Sequence, residues 1–108
     1  MEGQMNLFDF IKRQVKPGEW LEENQLGKEM TFDEIAESVG KVIAIDKSTE
    51  SHAWYKAVRV EKILEKDEYD RKNRRLIYYD GARQRGLISE MYFQGNDLRG
   101  RQRAWRIK

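Results

Sequence analysis

Apolar residues recur along this chain with two different periods, and the change comes at Gly40. Before it the spacing is helical. Residues 6–15 (NLFDFIKRQV) place Leu7, Phe8, Ile11 and Val15 on one side of a helix, with Asn6 as N-cap and Pro17 and Gly18 as the stop. Phe32, Ile35, Ala36 and Val39 fall at i, i+3, i+4 and i+7, which predicts a second helix over 32–39. Thr31 and Glu34 have the spacing of a capping box, Met30 and Ile35 that of a hydrophobic staple, and Gly40 supplies a left-handed stop. Between the two helices, residues 16–29 hold the only proline, Gly18, Gly27 and six charges, and read as an irregular connection with Trp20 pinned to the core.

After Gly40 the apolar positions alternate. Residues 41–45 are β-branched and apolar, 54–64 (WYKAVRVEKIL) form a long alternating run, and 75–79 (RLIYY) a third. Asp80 and Gly81 mark a turn, and 87–93 (LISEMYF) and 104–107 (AWRI) complete five short strands. Polar turns between them predict a small, strongly bent antiparallel barrel, with the charged run 65–74 as a hairpin tip.

Composition sharpens this. Charged residues make up 37% of the 108 residues, against roughly 25% in an average globular protein. A small net charge of +2 and twelve aromatic residues, which bury large area from few positions, argue for a compact fold with a small core. The absence of cysteine excludes disulfides, thiolate nucleophiles and cysteine-based metal sites, and suits a reducing, cytoplasmic setting. The longest apolar run, 42–45, is far short of the roughly 20 residues of a membrane span. Residues 1–7 carry Glu2 and no basic residue, unlike a signal peptide, so neither membrane nor export is expected.

The near-neutral total conceals a split. Residues 1–40 hold 4 Lys+Arg against 9 Asp+Glu, net −5, while residues 41–108 hold 17 against 10, net +7.

Three stretches carry a family resemblance. Gly40, Lys41 and Val42, then Trp54, Tyr55, Lys56, Ala57 and Val58, then Tyr78, Tyr79, Asp80 and Gly81, together resemble a Tudor or SH3-like barrel over about 40–93. The resemblance implies peptide binding in an aromatic cage, often of methylated peptides, with Tyr55 and Tyr78 or Tyr79 as walls; some bacterial SH3-like barrels bind nucleic acid. The loop 46–53 carries only His52 as a ring, and Gly81 follows Asp80 directly. Size and charge density also resemble small phage and mobile-element proteins, including anti-CRISPR proteins. The expected fold is α+β: a single domain over 1–108, in which short N-terminal helices (1–40) pack on a five-stranded antiparallel SH3-like barrel (41–108).

Catalysis finds little support. His52 shares the run 46–52 with serines, a threonine and carboxylates, but a triad needs its members converged at about 3 Å, which neighbours in a polar loop rarely achieve. Acid pairs such as Glu61 and Glu65, or Asp67 and Asp70, lack a calcium-loop pattern, and no glycine-rich phosphate loop is present. No enzyme, metal or cofactor is expected. Binding fits better. Arg71, Arg74, Arg75, Arg83, Arg85, Arg101 and Arg103, interleaved with Tyr78, Tyr79, Tyr92 and Trp105, offer phosphate contacts and stacking planes for DNA or RNA. The acidic helix face of Asp33, Glu34 and Glu37 suits a basic protein groove that normally holds nucleic acid, with Tyr55, Tyr78 and Tyr79 as further partner contacts. The expectation is a non-enzymatic phage or mobile-element protein, monomer or homodimer, acting stoichiometrically on a nucleic-acid-processing complex, as an anti-CRISPR-like inhibitor does. The alternatives are a direct nucleic-acid binder and a Tudor-like peptide binder.

Overall fold

Alternating β-branched and aromatic residues build strands, and the computed structural model, which describes residues 14–66, 72, 74–93 and 102–108, is dominated by them. Its seven antiparallel strands are β1 (Trp20–Leu21), β2 (Leu26–Glu29), β3 (Val42–Asp46), β4 (Tyr55–Leu64), β5 (Leu76–Asp80), β6 (Arg85–Ser89) and β7 (Ala104–Ile107). They lie in one open sheet in the order β2-β7-β3-β4-β5-β6, with β1 paired beside the start of β4. Among the described residues the only α-helix is α1 (Phe32–Ala36), accompanied by two 3-10 turns, Glu23–Gln25 and Glu90–Tyr92.

This corrects the expected α+β fold of helices packed on a five-stranded barrel. Two physical causes account for it. First, the stretch expected to be irregular pairs as strands: Trp20 lies opposite Lys56, and Glu29 opposite Trp105. Second, the run 87–93 does not continue as a strand to close the sheet. The Ser89 hydroxyl accepts from the Met91 N–H (3.2 Å) and caps the 3-10 turn that follows β6. The chain leaves the sheet edge there. The free edge of β6 meets a side chain: Ser89 N–H donates to the Gln102 Oε1 (2.9 Å), and Gln102 Nε2 donates to the Leu87 carbonyl (3.3 Å). A carboxamide thus takes the bonds a neighbouring strand would make. The helix expected over 6–15 lies outside the described residues except at its end.

Helix α1 forms where its caps predict. Thr31 Oγ1 accepts from Glu34 N–H (3.2 Å), and Glu34 returns the bond to Thr31 N–H (3.0 Å). It stops early because Ser38 N–H bonds the Ile35 carbonyl (2.9 Å) and Ser38 Oγ–H the Glu34 carbonyl (2.7 Å), which tightens the last turn. Val39, expected on the apolar face, is 51% exposed. Gly40 takes the left-handed conformation, at φ +89°.

The inner face of the sheet holds the main core. Ile43, Ile45, Val58, Val60, Ile77 and Ile88 meet Met30, Phe32 and Ile35 there, and Phe93 closes over them edge-on to Phe32 at 5.7 Å between ring centres. Each such side chain contributes about 1.5–3 kcal/mol by leaving water. A second cluster on the outer face joins Leu21, Ala44, Ala57 and Trp105, with Tyr55 edge-on to Trp105 at 5.2 Å. The long strand β4 serves both. Ala57 faces outward and Val58 and Val60 inward, and a register shift between Val60 and Lys62 resets the alternation so that Ile63 packs against the inner core.

Tyr79 lies opposite Gly86, and its ring covers the glycine. A methyl group at Gly86 would overlap the Tyr79 hydroxyl and ring carbon Cζ. Gly86→Ala is therefore expected to destabilise by about 2 kcal/mol, a fall in Tm of roughly 10 °C. Calorimetry checks this, and pairing it with Tyr79→Leu should recover part of the loss.

Candidate functional site

Arginine next to a carboxylate forms a fork of two hydrogen bonds, and this fold makes that pairing across long sequence separations. Arg75 binds Glu90 through Nε to Oε1 (3.2 Å) and Nη2 to Oε2 (2.9 Å), and Nη2 also reaches Asp33 Oδ1 (2.6 Å). Its guanidinium lies 4.9 Å from the centre of the Phe32 ring. Arg103 binds Glu29 through Nε (2.9 Å) and Nη2 (2.7 Å) while its guanidinium lies 4.9 Å from the Trp105 ring centre. Arg106 pairs with Glu34 at 3.2 Å. The Arg75 hydrogen bonds hold the Glu90 carboxyl below its usual range, and those of Arg103 do the same for Glu29. For Glu34 the larger cause is the Thr31 N–H, followed by Arg106.

These pairs reorder the residues expected to bind. Arg75 and Arg103, two of the seven candidate nucleic-acid contacts, are engaged inside the molecule. Arg71 and Arg101 lie outside the described residues, Arg74 is half-buried, and Arg83 and Arg85 are exposed. On the acidic helix face Asp33 and Glu34 are spent on Arg75 and Arg106, and Glu37 is exposed. The three tyrosines do not converge. Tyr55 packs in the outer cluster, Tyr79 is buried in the inner core, and Tyr78 is half-buried on the outer face beside Lys62. They therefore do not wall a common cage. Tyr92 is 43% exposed on the 3-10 turn.

A different aromatic group stands out. Trp20 and Trp54 are 58% and 45% exposed, and their rings meet edge-on at 5.7 Å. His52 stacks on Trp54 at 5.8 Å, and the Lys56 ammonium lies 5.5 Å from the Trp20 ring centre. Trp20 was expected in the core; instead its strand partner is Lys56, which continues the inner face of β4 past the core. Backbone bonds hold the group in place. Ala57 N–H donates to the Glu19 carbonyl (2.8 Å), Lys47 N–H to the Trp54 carbonyl (2.8 Å), and Trp54 N–H to Ser48 Oγ (3.1 Å). No local pattern marks Trp20, since only the pairing of β1 with β4 brings it to Trp54.

The polar loop holds no relay. His52 Nδ1 lies 3.2 Å from Ser51 Oγ, but the Asp46 carboxylate accepts from Ser48 N–H (2.8 Å). Among the described residues no three His, Asp or Glu side chains gather as a metal site, and no helix is long and apolar enough to cross a membrane. Comparison with protein-family models, curated proteins and solved structures finds no match.

The depressed carboxyls set a pH dependence. A group whose pKa is lower in the folded than in the unfolded chain adds stability above its unfolded value and loses it as pH falls through the folded one. For Glu90 and Glu29 that loss begins near 4.5 and continues downward. Urea unfolding should show stability flat near neutrality and falling below about pH 4.5. Glu90→Gln is expected to cost about 2 kcal/mol at pH 7 and to make the acid side of the profile shallower.

Proposed function

We propose that this protein is a non-enzymatic binding module that acts stoichiometrically on a protein or nucleoprotein partner, and that the Trp20 and Trp54 surface is its contact. The observation that carries this reading is the pair of exposed indoles held in edge contact by strand pairing. Tryptophan supplies much of the binding energy at interfaces, because it buries a large rigid area at little cost in side-chain entropy. Neither ring completes a core here. Each exposes apolar surface to water that a partner would cover.

The narrower form of the proposal is a phage or mobile-element inhibitor of a nucleic-acid-processing complex, working in the reducing cytoplasm. Small size, charge density and the absence of cysteine support it. The contact passes from the acidic helix face to the indole pair, because Asp33 and Glu34 are already neutralised by arginines of this chain.

Trp20→Ala and Trp54→Ala are each expected to weaken partner capture about 30-fold or more, with Tm close to that of the parent chain. Pull-down with mass spectrometry identifies the partner, and titration against it measures stoichiometry and loss. Undiminished capture by the double variant Trp20→Ala/Trp54→Ala would refute the assignment of the surface.

A further inference from the structure

We infer that the outer face of β4, β5 and β6 is a separate site for a short run of single-stranded nucleic acid. The inference goes beyond the reading above and rests on other residues. In register, Arg59 lies opposite Asp80 and Asp80 opposite Arg85; in the next row, Lys62 lies opposite Tyr78 and Tyr78 opposite Leu87. Residues directly opposite one another share a face, so these six form one patch. Their inward neighbours Val60, Ile77, Tyr79 and Ile88 are buried, which places the patch on the side of the sheet away from the main core.

The patch combines the two chemistries that hold a single strand. Arg59, Lys62 and Arg85 are exposed, with Arg83 on the adjoining turn, and none of the four makes an ion pair among the described residues. Opposing them are Glu61 and Asp80, and Asp80 already accepts from Ala82 N–H (2.9 Å). Tyr78 lies half-buried at the centre, with the Lys62 ammonium 5.1 Å from its ring centre and Leu87, 45% exposed, on its other side. A groove of about 650 Å³ runs along Lys62, Tyr78, Arg85 and Leu87. A second, of about 690 Å³, borders Lys16, Arg59 and Asp80.

Successive side chains on one face of a strand are roughly 7 Å apart, so the Arg59 and Arg85 row and the Lys62 row flank the tyrosine with cations. A base can stack on the Tyr78 ring while the lysine turns to the backbone phosphate. Paired bases expose no such face, which favours a single strand over a duplex. Excess positive charge together with a ring favours it over an acidic peptide.

Fluorescence anisotropy tests this with labelled oligothymidylate and oligouridylate of about 12 nucleotides, beside a duplex and polyglutamate. Three phosphate contacts predict a slope of log K on log salt of about −2, a loss of about 15-fold between about 50 and about 200 mM. Lys62→Ala and Arg85→Ala should each reduce the slope by about 0.7. Tyr78→Leu, which keeps an apolar side chain at the position, should weaken binding about tenfold at fixed salt. Trp20→Ala should leave this binding unchanged, which separates failure here from failure of the protein-binding reading. No binding at about 50 mM salt overturns the inference. So does equal binding of duplex or polyglutamate, or indifference to the Tyr78 change.

Discussion

Strand β4 must satisfy three neighbours with one run of ten residues, and the rest of the fold follows from how it does so. Its first residues pair with β1 on one side and β3 on the other; its later residues pair with β5. A regular alternation would send Ile63 outward, where nothing covers it. The irregularity between Val60 and Lys62 prevents that by shifting the register once. One inserted residue keeps Val58, Val60 and Ile63 on the core and turns Lys62 out. The same step brings Lys62 to the outer face beside Arg59. Trp54 and Lys56 precede it on the inner face beyond the core, while Arg59 and Lys62 share the outer one.

The charge split acquires a structural meaning. Acidic residues before Gly40 neutralise arginines far along the chain: Glu29 meets Arg103, Asp33 meets Arg75 and Glu34 meets Arg106. Glu29 with Arg103, a pair reached by solvent, contributes at most about 1 kcal/mol, and Glu34 with Arg106 is screened by water as well. Their effect is therefore orientation more than energy. Arg75 does more, since one guanidinium joins α1, the start of β5 and the turn after β6. A chain with this much charge and so few aliphatic residues uses such bonds to fix elements that its core alone leaves loosely placed.

Period and capping made much of this legible in advance. The strands near 42, 55, 76 and 104 begin within a residue or so of where alternation placed them, and the Thr31 capping box starts α1 where expected. What could not be read are features defined by a distant partner. Strands β1 and β2, two and four residues long, carry no alternation of their own and exist because Lys56 and Trp105 lie opposite them. Polar side chains bonding to nearby backbone ended two elements early, Ser38 for the helix and Ser89 for β6. Apolar patterning does not register such bonds. The site was missed for the first reason: Trp20 and Trp54 are 34 positions apart and meet only through the β1 pairing.

Counting arginines overstated the basic surface, because number and availability are different quantities. A guanidinium in a fork with a carboxylate has its donors occupied and its charge offset, so Arg75 and Arg103 offer a phosphate little even where solvent reaches them. Arg59, Lys62, Arg83 and Arg85, which have no such partner among the described residues, lie on one side of β4–β6, whereas the exposed indoles and Lys56 lie on the other face of β4. The sheet itself separates the two. A ligand on either surface can therefore settle without displacing a side chain of the other, and the two surfaces differ in what they can recognise. One presents apolar rings that gain from dehydration, the other exposed cations whose attraction weakens with salt. That difference, which ordinary strand alternation begins and the register shift extends by turning Lys62 out beside Arg59, divides a nearly neutral chain into two unlike faces.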